Sequence, residues 1–373
     1  RIDGQPVQDP QGPAGLPVVG SFYEIFPDHL GNHYRFFRKY GPVIKTTNMG
    51  KTTYLTDSPD VAQVALAESA YFTKKINASH PLWGVKDNTA NFIGDTENEN
   101  WRLAHKFLPP AMGPKAVKHY TPLMQECARK SFEVFDELDS RGEAWNVYQF
   151  MVKLASQTIG KFALGMDFGH FKSVDAPLHP LVTDIVNLLS LNKKVTTRGE
   201  WTPEFAHGLP YLDKFVKEAK RLHNASFQPG RTTKTDVVLP GGYRLPQDAV
   251  IIPALYAIHT NPAVWRDPFR FDQDRWDTEE VKNRHRCAYI PFATGPRGCI
   301  GFNFALLEVK ILLSDLIYRY EFTREGVEAV EYDPEFQLIR PLNLYCTAKR
   351  RTQWAFQVRS VVRSQAVMQS RWS

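Results

Sequence analysis

The sequence predicts a mainly α-helical protein with a smaller β region, an α+β class, and three observations predict it. Between residues 100 and 164 apolar side chains recur at three- and four-residue spacing, as in Leu123, Cys127, Ala128, Phe132 and Phe135. That is the period of helices with one buried face. Short strand-like runs bounded by turn residues lie near both ends: 43–48 and 52–56 around Met49-Gly50-Lys51, then 237–239 and 249–252 around Gly241-Gly242. A long apolar helix over 304–320 follows a Gly-rich loop and leads into a strand-rich end at Ala348.

The remaining elements fall between these. Residues 9–20 are rich in Pro and Gly and read as a rigid, irregular lead-in. Residues 34–40 and 211–223 read as helices, and 181–191 as an amphipathic one. Residues 192–208 carry Lys193-Lys194, Thr196-Thr197, Gly199, Pro203 and Gly208 and read as a connection. There is no internal repeat. The 373 residues are 43% hydrophobic and 13% aromatic, which suits a chain with a substantial core and an apolar pocket.

Charge and cysteine usage narrow the partners. The net charge is +6, and the tail 352–373 holds three Arg and no acid. No basic stripe runs along any element, which excludes nucleic acid as the expected partner. A mildly basic surface suits an acidic electron-transfer protein or anionic lipid. The four cysteines, Cys127, Cys287, Cys299 and Cys346, form no CxxC pair, so a reducing compartment is expected. No apolar run reaches membrane-spanning length and no signal-like segment opens the sequence. The expected location is therefore the cytoplasm, or the cytoplasmic face of the endoplasmic reticulum where an N-terminal anchor has been removed.

The most informative segment is Pro291-Phe292-Ala293-Thr294-Gly295-Pro296-Arg297-Gly298-Cys299-Ile300-Gly301. Three glycines surround one Cys just before a helix. A helix N-terminus and free backbone N–H groups favour a thiolate, glycines admit a flat ligand close to the backbone, and Arg297 can pair with that ligand's carboxylate. Phe292 can shield the sulfur from water. The competing reading is a small buried cysteine in a turn. Against it, the pattern Phe-x-x-Gly-x-Arg-x-Cys-x-Gly fixes five residue types, a chance match on the order of one in ten thousand at ordinary frequencies.

This loop resembles the haem-binding loop of the cytochrome P-450 superfamily, the haem-thiolate monooxygenases. The resemblance implies b-type haem with Cys299 as the proximal iron ligand, and Phe292, Gly295, Arg297 and Gly301 around the cofactor. A thiolate ligand of this type pushes electron density toward O–O cleavage. Glu218-Ala219-Lys220-Arg221 with Arg275 is similar to the family's Glu-x-x-Arg helix and its later Arg, which makes Glu218, Arg221 and Arg275 a structural triad. Taken by itself the Glu–Arg pair reads as a common surface contact. Trp101 and His105, at i and i+4, resemble the helix that holds a haem propionate, with His in place of the usual Arg. Phe92, nine residues before Trp101, resembles the distal Phe of the bacterial fatty-acid-hydroxylating subclass fused to a reductase; a core Phe is the competing reading.

The sequence departs from the family in its middle. The central helix with its acid-Thr or Gly-x-x-Thr pattern is not found, and near 192–209 only a polar connection stands in its place. The expectation is thus a haem-thiolate domain over 1–351 that lacks its central distal helix, followed by a basic tail over 352–373. The expected reaction inserts one atom of dioxygen into an apolar substrate with electrons from a separate NADPH-dependent flavoprotein reductase. Two alternatives stay open at this level: a haem-thiolate enzyme that rearranges peroxides, and a truncated haem-binding protein without activity.

Overall fold

The computed structural model describes residues 6–17, 19–26, 28–80, 82–83, 94–183, 210–225, 229–333 and 339–352. The N-terminal part builds a sheet. A short helix α1 (Phe22–Ile25) and α2 (His29–Tyr40) precede strands β1 (Val43–Asn48) and β2 (Lys51–Thr56). Asp28 caps α2 by accepting from Gly31 N, which starts the helix five residues earlier than its apolar pattern suggests. Met49 and Gly50 both have positive φ (49° and 75°), so the β1–β2 hairpin closes through a two-residue turn whose twist matches its strands. Helix α3 (Pro59–Leu66) and strand β3 (Phe72–Thr73) follow.

The middle is helical. Helix α4 (Glu99–Ala111) is followed by α5 (Pro114–Arg141), with Pro at its first turn and Gly142 in the left-handed conformation at its end. Strand β4 (Trp145–Asn146) leads into α6 (Val147–Ile159), which ends in a widened turn over Gly160–Leu164. Along α5 the buried residues include Val117, Thr121, Met124, Cys127, Ala128, Phe132 and Phe135, whereas Leu123 is only partly buried. This face packs with α6 and the C-terminal strands into one core that contains Phe150, Leu154, Leu316 and Tyr320.

After α7 (Pro210–Leu222) come β5 (Arg231–Thr233), β6 (Val237–Val238), β7 (Arg244–Leu245), β8 (Val250–Pro253) and α8 (Leu255–His259). The main sheet has the order β1-β2-β8-β5-β3, with β2 and β8 parallel and the other pairs antiparallel. β3 and β5 pair as Phe72 with Thr233 and Thr73 with Thr232, which brings the residues just after β3 beside Arg231. A small helix α9 (Glu279–Lys282), the cysteine loop, α10 (Phe302–Arg319), β9 (Tyr320–Glu325) and β10 (Tyr345–Arg350) complete the order. Helix α10 buries its apolar residues unequally. Leu307, Ile311, Leu312 and Leu316 are fully buried, whereas Leu306, Val309 and Leu313 are only partly so. A helix apolar on most faces does not announce which one turns inward.

Among the described residues no helix is long and apolar enough to cross a membrane. None of the four cysteines forms a disulfide. Phe92, most of the expected 181–191 helix, the connection over 192–208 and nearly all of the tail lie outside the described residues.

Candidate haem-thiolate site

The loop before α10 is fixed by its own backbone. Ala293 N donates to Ile290 O (2.8 Å), Gly298 N to Gly295 O (2.9 Å) and Cys299 N to Phe292 O (2.9 Å). Gly295 has φ +78°, and a Cβ there would lie 2.5 Å from Leu66 O, so this position demands glycine twice over. Gly301 is different: a Cβ there would meet nothing within 4 Å, and the open space lies two residues from the sulfur.

Cys299 is the exposed cysteine; Cys127 and Cys287 are buried and Cys346 is intermediate. The reading of Cys299 as a buried turn residue therefore fails. Its electrostatics also differ from expectation. The concave surroundings push the Cys299 thiol up, and the hydrogen bond from Gly301 N pulls it back only in part. The helix begins at Phe302, too far on for its N-terminus to dominate. A thiolate here calls for a cation at the sulfur, and a metal ion supplies one.

Two sets of side chains flank the loop. On one side Arg297 donates to Thr96 Oγ1 (3.0 Å) and Gly94 O (2.6 Å) and lies 4.3 Å above the Trp101 ring. The Trp101 ring in turn lies 4.2 Å from that of His105, tilted by 35°, and His105 Nδ1 lies 3.1 Å from Trp101 O. Burial, followed by the charges of Arg297 and Lys74, lowers the His105 pKa, so this imidazole is neutral at pH 7. The predicted group Arg297, Trp101 and His105 thus assembles in one place.

Two further residues join it that the sequence pattern did not single out. Arg231 on β5 is 2% exposed, and it donates only from Nη1, to Pro229 O and Gly230 O. Among the described residues its Nε and Nη2 have no acceptor, and neither does the buried Trp101 Nε1. Burial lowers Arg231 to about 10. Arg297 falls to about 10 through burial and then the charge of Arg231; Lys74 falls to about 7 through burial and then the charges of Arg297 and Arg231. The acids nearby are engaged elsewhere: Glu68 accepts from Lys74 N and Thr96 Oγ1, and Asp95 from Ile76 N. Buried cations with orphan N–H groups are costly unless an anion completes them. A single Arg at the start of a short strand gives no such signal in sequence; only the β3–β5 register does.

On the other side lies a cavity of about 570 Å3 between α7, the loop and the start of α10, lined among others by Cys299, Phe292, Lys220, Lys217, Arg286 and Asp213. Behind it sits the Glu218–Arg221–Arg275 cluster. Glu218 and Arg221 are fully buried, which removes the surface-pair reading. Glu218 accepts from Arg221 Nε (3.0 Å) and Nη2 (2.9 Å), Arg275 Nε (3.0 Å), Asp272 N (3.0 Å) and Trp276 Nε1 (3.2 Å). Arg221 and Arg275 spend their other donors on His259 O, Pro268 O, Arg266 O and Arg270 O. Burial works to raise the Glu218 pKa, but these donors outweigh it and hold it below the usual range.

The family model described as Cytochrome P450 matches residues 10–198 and 194–346. The chain belongs to the cytochrome P450 family. A "Cytochrome P450 monooxygenase alnD" from Emericella nidulans is 40% identical over 478 residues, covering 95% of this chain and 86% of that protein. A mouse "Leukotriene-B4 omega-hydroxylase 3" is 37% identical over 120 residues, 32% of this chain and 23% of its own length. The solved structure of "a Cytochrome P450 (CYP102L1)" shares the fold at 16% identity, with a TM-score of 0.80 over 93% of this chain and 100% of that chain. The chain is thus a P450-type, haem-dependent monooxygenase with protoporphyrin IX haem as its cofactor. The residues present fit that group: an exposed cysteine in a glycine cradle, and beside it cations and an indole N–H that lack anionic partners among the described residues.

Proposed function

We propose that Cys299 is the thiolate ligand of the haem iron, and that the chain oxygenates an apolar, fatty-acid-like substrate using electrons from a separate NADPH-dependent flavoprotein reductase. The observation that carries the reading is the convergence on one loop of the exposed cysteine and of Arg297, which reaches across to Trp101 in a cluster of cations without an ion pair among the described residues. Haem, when bound, supplies dioxygen activation and insertion of one oxygen atom into a C–H bond. The protein's part is to hold and insulate it. Arg297, Arg231 and Lys74 offer charge, and Trp101 Nε1 offers a donor, to the propionate carboxylates, while His105, whose Nδ1 lies against Trp101 O, packs against the indole. Phe292 keeps water from the sulfur, and the Glu218–Arg221–Arg275 cluster fixes α7 behind the loop.

The cavity on the thiolate side supports the partner assignment. Lys217, Lys220 and Arg286 line it, with Asp213 as its one acid among the described residues, and this sign suits an acidic electron donor. The substrate class draws on the activity for which the mouse relative is named, and on the spacing of Phe92 from Trp101, which we propose brings Phe92 over the cofactor's distal face.

We further propose that residues 1–351 form one haem-thiolate domain lacking the central distal helix near 192–209, followed by a separate basic tail over 352–373. Two findings support the gap. The family model matches in two stretches that meet at 194–198, and the alignment with the Emericella nidulans protein spans 478 residues against 373 in this chain. We propose a cytoplasmic location, or the cytoplasmic face of the endoplasmic reticulum where an anchor precedes the chain. Haem-loaded protein supplied with a reductase, NADPH and a long-chain fatty acid tests the reaction. The reading expects NADPH consumption coupled to a hydroxylated product. Turnover of a fatty-acid hydroperoxide without NADPH, and none with it, would instead establish peroxide rearrangement.

A further inference from the structure

Lys220 occupies the third position of Glu218-Ala219-Lys220-Arg221, between the anchored Arg221 and the cavity. Its ammonium lies 4.6 Å from the Phe292 ring centroid. The same Phe292 accepts from Cys299 N through its carbonyl, so the ring and the sulfur-bearing residue share one fixed piece of backbone. The backbone that carries Lys220 is held in place, because Glu218 and Arg221, on either side of it, are fully buried and hydrogen-bonded into the Arg275 cluster.

Two of its lysine neighbours share one acid, and another has an acid of its own. Asp213 pairs with Lys217 (2.5 Å) and Lys310 (2.6 Å), and Lys214 pairs with Asp277. Lys220 has no ion pair among the described residues. A half-buried ammonium held against an aromatic face acts through a low local dielectric. Such a cation stabilises each electron added on the thiolate side.

We propose that Lys220 is a positioning residue that raises the reduction potential of the haem iron from the thiolate side, acting through Phe292. The inference rests on the assignment of Cys299 as ligand. Burial, and then the charge of Lys310, lower the Lys220 pKa to about 7, while Asp213 opposes and Lys217 adds to the shift. Arg286 and Tyr289 complete the charged and titratable lining of the cavity. The effect is therefore strongest below neutral pH.

A spectroelectrochemical titration of the haem-loaded protein tests this with Lys220→Met and Lys220→Arg. At pH 6.5, Lys220→Met is expected to make one-electron reduction about tenfold less favourable, a fall of about 59 mV. Lys220→Arg should stay within about twofold of the wild type, and all three should keep the thiolate-type Soret band of the ferrous carbon monoxide complex. A Lys220→Met potential equal to wild type with that band intact overturns the inference and leaves the ligand assignment standing. Absence of the band in the wild type overturns both. Should Lys220→Met fail to hold haem, the wild type and Lys220→Arg still decide the matter. The wild-type potential must fall more steeply between pH 6 and 8 than that of Lys220→Arg, and parallel slopes overturn the proposal.

Discussion

Replacing Glu218 by Ala would remove the single acceptor shared by five donors. Arg221 Nε and Nη2, Arg275 Nε, Asp272 N and Trp276 Nε1 all lie 2.9–3.2 Å from its two oxygens, and the Glu218 side chain is 0% exposed. Two buried guanidinium groups would then face each other without a counter-ion. Losing one member of such a pair costs about 3–5 kcal/mol, a large share of a typical total of about 5–15 kcal/mol. Thermal unfolding of the haem-loaded protein should move down by roughly 10 °C, taking about 2–4 °C per kcal/mol. Lys75→Ala, which breaks an exposed pair with Asp248, serves as the control and should shift stability by less than about 1 kcal/mol. The pH dependence follows the same logic. The folded-state pKa of Glu218 is depressed, so its contribution is present above the ordinary carboxylate pKa and is lost as pH falls through the folded value. A Glu218→Ala loss below about 1 kcal/mol, or one equal to the control, would refute the account of this cluster as the anchor of α7.

Three other outcomes follow from the site and its sheet. Gly295→Ala places a Cβ at φ +78° and 2.5 Å from Leu66 O; it should cost about 2 kcal/mol or more and lower haem retention, measured by calorimetry and haem content. Arg231→Met removes a buried cation whose Nε and Nη2 have no acceptor among the described residues, and should speed haem transfer to a scavenger about tenfold while leaving the thiolate spectrum in place. Asp57 is pushed up to about 7 by burial, with one oxygen left without a donor, so it favours the fold in its protonated form, and that stability is lost as pH rises toward and through 7. Asp57→Asn should therefore raise the melting temperature at pH 8 and change it little at pH 4.

What the sequence made legible was the chemistry carried by short, rigid patterns. The cysteine loop could be read because each position answers a local demand: a positive φ at Gly295, a backbone bond between Cys299 and Phe292, and a charge at Arg297. The β1–β2 hairpin was legible for the same reason. The burial of Glu218 and Arg221 was not, because a Glu and an Arg three apart look the same on a solvated face. What distinguishes them here is the arrival of Arg275, His259 O and Pro268 O from distant segments. Arg231 and Lys74 were hidden because their proximity to Arg297 is created by β3–β5 pairing across more than 150 residues. The inward face of α10 is hard to place from sequence because its apolar residues cover most of its surface. The thiolate preference of Cys299 is easily overrated, since proximity to a helix N-terminus is visible in sequence while the desolvation that opposes it is not.

The assignment of Cys299 is tested most directly by the reduced carbon monoxide spectrum of the haem-loaded wild type beside Cys299→Ala. The wild type should show the thiolate-type Soret band, and Cys299→Ala should lose it even where haem is retained through Arg297, Arg231 and Trp101. A thiolate band that survives in Cys299→Ala, or that is missing from the haem-loaded wild type, would contradict the assignment.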